Sequence, residues 1–173
     1  FLANHTQVEG NIDVSGLGFR GGQVEHAPDI VQNFRSFFSS NSLDGGKKGE
    51  GIANYILGKQ YGRGKQGNAG GGGNNHNTGG GGGALGGDGG QGGYFDFYPI
   101  AQASHGLGGL KIDYPCSFGK LFMGAGGGAG HSNLQCSAGS SGGNGGGIVI
   151  IKTNSLNFQA SNLNLNSNGS SSL

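Results

Sequence analysis

AGGGGNNHNTGGGGGALGGDGGQGG occupies residues 69–93, and most of its positions carry no side chain. Gly loses more backbone entropy on ordering than any other residue and brings no surface to bury. A flexible linker is therefore the simplest reading of the run. Linkers of that kind mix Gly with Ser and keep few aromatics nearby. Here GIANYILGKQYG precedes the run and GYFDFYPIA follows it. Two further tracts, 124–130 and 139–147, lie just after YPCSFGKLFMG and just before IVIIK. Apolar walls beside every tract predict ordered Gly rather than a linker.

A physical route to ordered Gly exists. The polyproline II conformation has three residues per turn and no internal hydrogen bonds. Built from Gly, it keeps every N–H and lacks every Cβ, so neighbouring chains can approach on all sides and pair their peptide groups. Buried peptide groups must be paired in any case. Ordering costs about 1–2 kcal/mol per residue, against a net gain of about 1 kcal/mol per hydrogen bond. Such a bundle therefore needs its ends fixed by other structure. The expected fold is mostly β and irregular: a bundle of packed polyglycine II-type helices flanked by a small β layer. Gly70, Gly71, Gly72, Gly73, Gly79, Gly80, Gly81, Gly82, Gly126, Gly127, Gly128, Gly145, Gly146 and Gly147 are its expected structural positions.

The rest of the composition agrees. Of 173 residues 44 are Gly and only 3 are Pro, which excludes collagen. Ten Lys and Arg face nine Asp and Glu, so net charge makes no case for nucleic acid or membrane lipid. Ten Phe and five Tyr argue against a disordered chain. No run approaches the ~20 apolar residues of a membrane span. Neither end reads as a natural terminus, so a segment of a longer protein, or a mature processed piece, is expected.

One domain is expected over 1–173, in four parts. Residues 1–22 enter as strand, with Val8, Ile12 and Val14 on one face. Residues 23–66 are aromatic and irregular, and Ile30, Val31, Phe34, Phe37 and Phe38 have the spacing of a short helix after Pro28-Asp29. Residues 67–147 form the Gly bundle. Residues 148–173 return to strand: an apolar run from Ile148 to Ile151, a turn at Thr153-Asn154-Ser155, then Leu156, Phe158, Leu163 and Leu165. The two ends are expected to pair. GGGGNNHN from Gly70 and GGGAGHSN from Gly126 form a weak internal repeat.

Motifs for chemistry are absent or uninformative. Gly-x-Gly-x-x-Gly recurs by composition alone, no Gly-Lys is followed by Ser or Thr, and His-Glu-x-x-His does not occur. The carboxylates are scattered. His76, His105 and His131 lack regular ligand spacing, so the expected role is partnering Gly-tract backbone, with a metal role the lesser reading. Glu50 in GKKGEGI reads as half of a turn salt bridge. Cys116 and Cys136 are either a disulfide or two buried thiols. An oxidising compartment favours the bond, which the loop-entropy model values at about 3 kcal/mol. No enzyme and no cofactor are expected.

Several stretches together carry a resemblance: IDVSGLGFRGG from Ile12, KKGEGIA from Lys47, GNAGGGGNNHNTGGGGG from Gly67, GLGGLKI from Gly106, KLFMGAGGGAGH from Lys120 and GGNGGGIVIIKTNSL from Gly142. The chain resembles the Gly-rich domains of large secreted surface proteins of Bacteroidota, adhesins of type IX secretion and gliding motility among them. A looser similarity reaches the Gly-rich domain of the anaplastic lymphoma kinase receptor and Gly-rich phage tail-fibre adhesins. The resemblance implies an extracellular, cell-surface location and a structural or adhesive role, with no catalytic residues to carry over. Its implied partners are other domains of a long chain, copies of itself, the secretion machinery during export, and a surface glycan or receptor. Phe37, Phe38, Tyr94, Phe95, Phe97 and Tyr98 are the candidate contact residues, by stacking on sugar or packing on another subunit. A glycan- or receptor-binding tip and a self-assembling filament subunit are the alternatives.

Overall fold

The computed structural model describes residues 2–27, 35–74, 77–94, 104–113, 119–133, 139–159 and 163–172. Regular structure is sparse. Among the described residues six strands form three two-stranded parallel sheets: β1 (Leu2–Val8) with β5 (Lys152–Phe158), β2 (Ile12–Asp13) with β6 (Leu165–Asn166), and β3 (His26–Ala27) with β4 (Ser132–Asn133). One 3-10 turn, Ser42–Asp44, is capped by the Asn41 side chain on the Leu43 amide. The chain is mostly irregular and β, as the composition predicts, with no α-helix among the described residues.

The ends of the chain do pair, from Leu2 opposite Lys152 to Val8 opposite Phe158. The strand boundaries differ from expectation. The entry strand is β1, and of residues 8–14 only Ile12 and Asp13 form a second strand. Ile148 to Ile151 lie outside any strand, while Thr153, Asn154 and Ser155 sit inside β5 rather than in a turn. Their turn propensity yields to a ladder with β1, which Thr153 Oγ1 reinforces at the Asn4 carbonyl. The short helix expected after Pro28-Asp29 is not formed where it is described: residues 35–40 are a turn, an irregular residue, bends and a bridge. Ser39 and Tyr61 exchange both backbone hydrogen bonds, which holds that segment extended. Residues 28–34 lie outside the described part.

Between the sheets the Gly segments are tied sideways, and their hydrogen bonds follow a rotation of three. In residues 124–131, Gly124, Gly127 and Gly130 donate to Gly146, Gly143 and Ser140. Gly126 and Ala129 donate to Glu50 and Lys47, and Gly128 and His131 to Gly81 and Thr78. Successive amides thus address three different segments in turn. Residues 70–74 do the same: Gly70 and Gly73 donate to Gly126 and Ala129, Gly71 and Asn74 to Leu107 and Ser104, and Gly72 to Gly62. Residues 79–84 alternate between Gly93 and Gly90 on one side and Gly71 and Asn68 on another. The pairing of 70 with 126 and 73 with 129 joins the two copies of the internal repeat in register.

Close approach explains why these positions are Gly. A Cβ on Gly72 would run into the Gly46 carbonyl, and one on Gly145 into the Gly124 carbonyl. The core that results is not hydrocarbon. Among the described residues its buried apolar side chains are Tyr61, Ala69, Ala84, Ala125 and Ala129. Beside them lie buried Lys48, Asn68, Asn74, Thr78, Ser104, His131 and Ser132. Asn68 shows how such groups are satisfied: its Oδ1 accepts from the Ile52 amide and its Nδ2 donates to the Ala84 carbonyl.

Candidate functional site

Phe37 and Phe38 lie on an extended segment held against residues 61–64. Arg63 and Gly64 donate their amides to the Ser36 and Phe37 carbonyls. Beneath them the Lys48 side chain is 0% exposed. Its Nζ donates to the carbonyls of Phe37 at 2.6 Å and Gly62 at 2.7 Å and to that of Gly64, and it sits 4.8 Å from the centre of the Phe38 ring. No carboxylate among the described residues pairs with it. Burial pulls its pKa from the usual lysine value down to about 7. Both Phe rings remain about half exposed.

A cationic bridge continues from this platform. The Arg63 guanidinium lies 5.0 Å from the centre of the Phe37 ring, and its Nε donates to the His105 carbonyl at 3.2 Å. The His105 ring stands 6.4 Å from that of Tyr94, tilted 49°. Tyr94 is 55% exposed. With Gln91, Gly92, Gly93 and His105 it lines an open hollow of about 600 Å³. Phe37, Phe38 and Tyr94, three of the six candidate contact residues, are thus linked through Arg63 and His105. Phe95, Phe97, Tyr98, Cys116, Cys136 and His76 lie outside the described residues.

A second hollow, about 540 Å³, is lined by Arg20, Lys47, Glu50, Tyr55, Ile56 and Leu57 among others. Arg20 forks onto Glu50, with Nη2 2.6 Å from Oε1 and Nε 3.0 Å from both oxygens. The pair crosses between distant segments instead of closing a turn. The hydrogen bonds from Arg20 hold the Glu50 carboxyl below its usual range. Tyr55 donates to the Lys48 carbonyl, and burial pushes its phenol up to about 12. Tyr61 donates to both oxygens of Glu25 at 2.8 Å. Burial, then the Glu25 carboxylate, raises it to about 12 as well.

His131 is buried and its amide binds the Thr78 carbonyl, so its backbone belongs to the Gly network. Among the described residues no three His, Cys, Asp or Glu side chains converge as metal ligands. Lys48, Arg63 and the exposed Ile56-Leu57 turn were not legible in the sequence. Their roles depend on segments brought together only by folding, and a Lys-Lys pair amid Gly carries no local signal of burial. No family model, curated protein or solved structure matches the chain.

Proposed function

We propose that this chain is a non-enzymatic, extracellular structural and adhesive module of a bacterial surface protein, of the type IX secretion and gliding-motility kind. In this reading the Gly segments are polyglycine II-type helices packed into a rigid slab, the paired ends anchor it in a longer chain, and aromatic loops face a partner. The observation that carries it is the rotation of amides 126–131 among three neighbouring segments. A threefold extended helix aims successive peptide groups in three directions, whereas a strand uses two. Stiffness then comes from lateral peptide hydrogen bonds, which suits a load-bearing or display role.

Solution NMR tests the scaffold. Gly126, Gly127 and Gly128 are expected near φ of about −75° and ψ of about +145°, with slow amide exchange. Values near the β average of about −140° for φ, or exchange at the random-coil rate, reject the slab. The half-exposed Tyr94 beside His105 favours a glycan-binding tip as the form of adhesion. Beads coated with the chain are expected to hold on glycan-bearing surfaces under flow and to release with Tyr94→Ala. Equal retention of the variant removes the tip from the reading and leaves the scaffold standing.

A further inference from the structure

The near-neutral total charge conceals a local excess. Six of the ten cations, Arg35, Lys47, Lys48, Lys59, Arg63 and Lys65, fall between residues 35 and 65, against the carboxylates Asp44 and Glu50. Lys48 is sealed inside, while Arg35 and Lys59 are exposed and Lys47, Arg63 and Lys65 are half-buried. Within the same sector the loop 51–59 carries its aliphatic side chains outward. Leu57 is 99% exposed, Ile56 57% and Ile52 48%.

This loop is pinned from behind. Tyr55 donates to the Lys48 carbonyl, Gln66 Nε2 donates to the Ala53 and Asn54 carbonyls, and the Lys59 amide closes a turn on the Ile56 carbonyl. Ile56 and Leu57 share the rim of one hollow with Arg20 and Lys47, which pair with Glu50 at 2.6 Å and Glu25 at 4.0 Å, and the exposed Lys59 follows them in the same loop. An anchored loop that presents branched aliphatics at its apex and cations at its base has the composition of an interfacial membrane anchor. The aliphatics enter the acyl boundary and the cations meet anionic headgroups. A polyanionic sugar or nucleic acid would engage the cations but leave Ile52, Ile56 and Leu57 in water.

We propose that the 52–57 tip, with the cations around it, docks on an anionic lipid bilayer. The inference goes beyond the scaffold reading and holds independently of it, because it rests on the 51–59 loop and the side chains around it rather than on how the Gly segments pair. The chain has no Trp, so Leu57→Trp supplies a single fluorescent reporter at an exposed position. Its emission is expected to shift to the blue with vesicles containing phosphatidylglycerol, to stay unchanged with phosphatidylcholine alone, and to revert in high salt. The Ile56→Ser, Leu57→Ser double variant is expected to bind the anionic vesicles about tenfold or more weakly, with slow amide exchange of the Gly segments retained as the check of folding. Three results overturn the proposal: no shift with either vesicle, equal binding to neutral vesicles, or binding to heparin without binding to vesicles. The last would make the patch a polyanion site.

Discussion

Lys48 buries an ammonium among carbonyls, and that sets the pH response. Its folded pKa of about 7 lies below the 10.5 of the free side chain. Between those values the unfolded chain binds more protons, so stability rises with pH across the window. Below about pH 7 the full penalty of burying the charge is present. Tyr55 and Tyr61 act in the opposite sense: raised from 10 to about 12, they keep their protons in the folded state and stability falls through that range. The urea midpoint is therefore expected to peak near pH 10. Lys48→Met is expected to remove the rising limb and spare the falling one, and to cost about 1–3 kcal/mol at pH 10, because the Gly64 carbonyl loses its donor while those of Phe37 and Gly62 keep the Gly64 and Gly72 amides. An unchanged pH profile in that variant would place the rising limb elsewhere. The Gly positions make an equally sharp contrast. Gly72→Ala drives a methyl into the Gly46 carbonyl, whereas a Cβ on Gly90 meets nothing within 4 Å. The first is expected to lose about 1–3 kcal/mol or more and the second to stay within about 0.5 kcal/mol of the parent, both read from denaturant midpoints.

The Gly segments and the strands differ in hydrogen-bond period, and amide exchange reads that difference directly. Every amide from Gly126 to His131 donates to another segment, so six successive residues are expected to exchange slowly. In the two-stranded β1–β5 sheet each strand has a partner on one side only among the described residues, so slow and fast amides are expected to alternate. Alternation in both regions would mean the Gly segments are strands. Much of this was readable beforehand. Aromatics flanking the tracts argued for order and the two ends for their pairing, whereas the repeat at Gly70 and Gly126 suggested two equivalent units but not that they would touch. The strand limits were not readable. Thr153, Asn154 and Ser155 look like a turn in isolation, and only the presence of β1 keeps them extended. The 26–40 spacing looks helical, but the exchange of hydrogen bonds between Ser39 and Tyr61 holds its described end extended. In each case a distant partner outweighed a local preference.

For the molecule as a whole, an interior of peptide groups predicts an unusual heat capacity. Ordinary domains unfold with a ΔCp of about 12–15 cal/mol/K per residue, raised by apolar exposure and lowered by polar exposure. The described buried apolar side chains here are one Tyr and four Ala, while many large ones are already in water. Calorimetry is expected to give a value clearly below that range, and one inside it would point to a hydrocarbon core. Composition and spacing alone led to the expectation that the tracts are ordered, that their peptide groups pair with one another, and that the ends meet. Those conclusions follow from local chemistry: Gly without Cβ must pair its peptides to be ordered at all. The tertiary structure alone decided which segments pair, that Lys48 is sealed under Phe37 and Phe38, that Arg63 joins them to His105 and Tyr94, and that Ile56 and Leu57 face outward. A Gly peptide offers the same donor and acceptor at every position, so sequence cannot distinguish one Gly neighbour from another. The choice is made by where the few side chains find room.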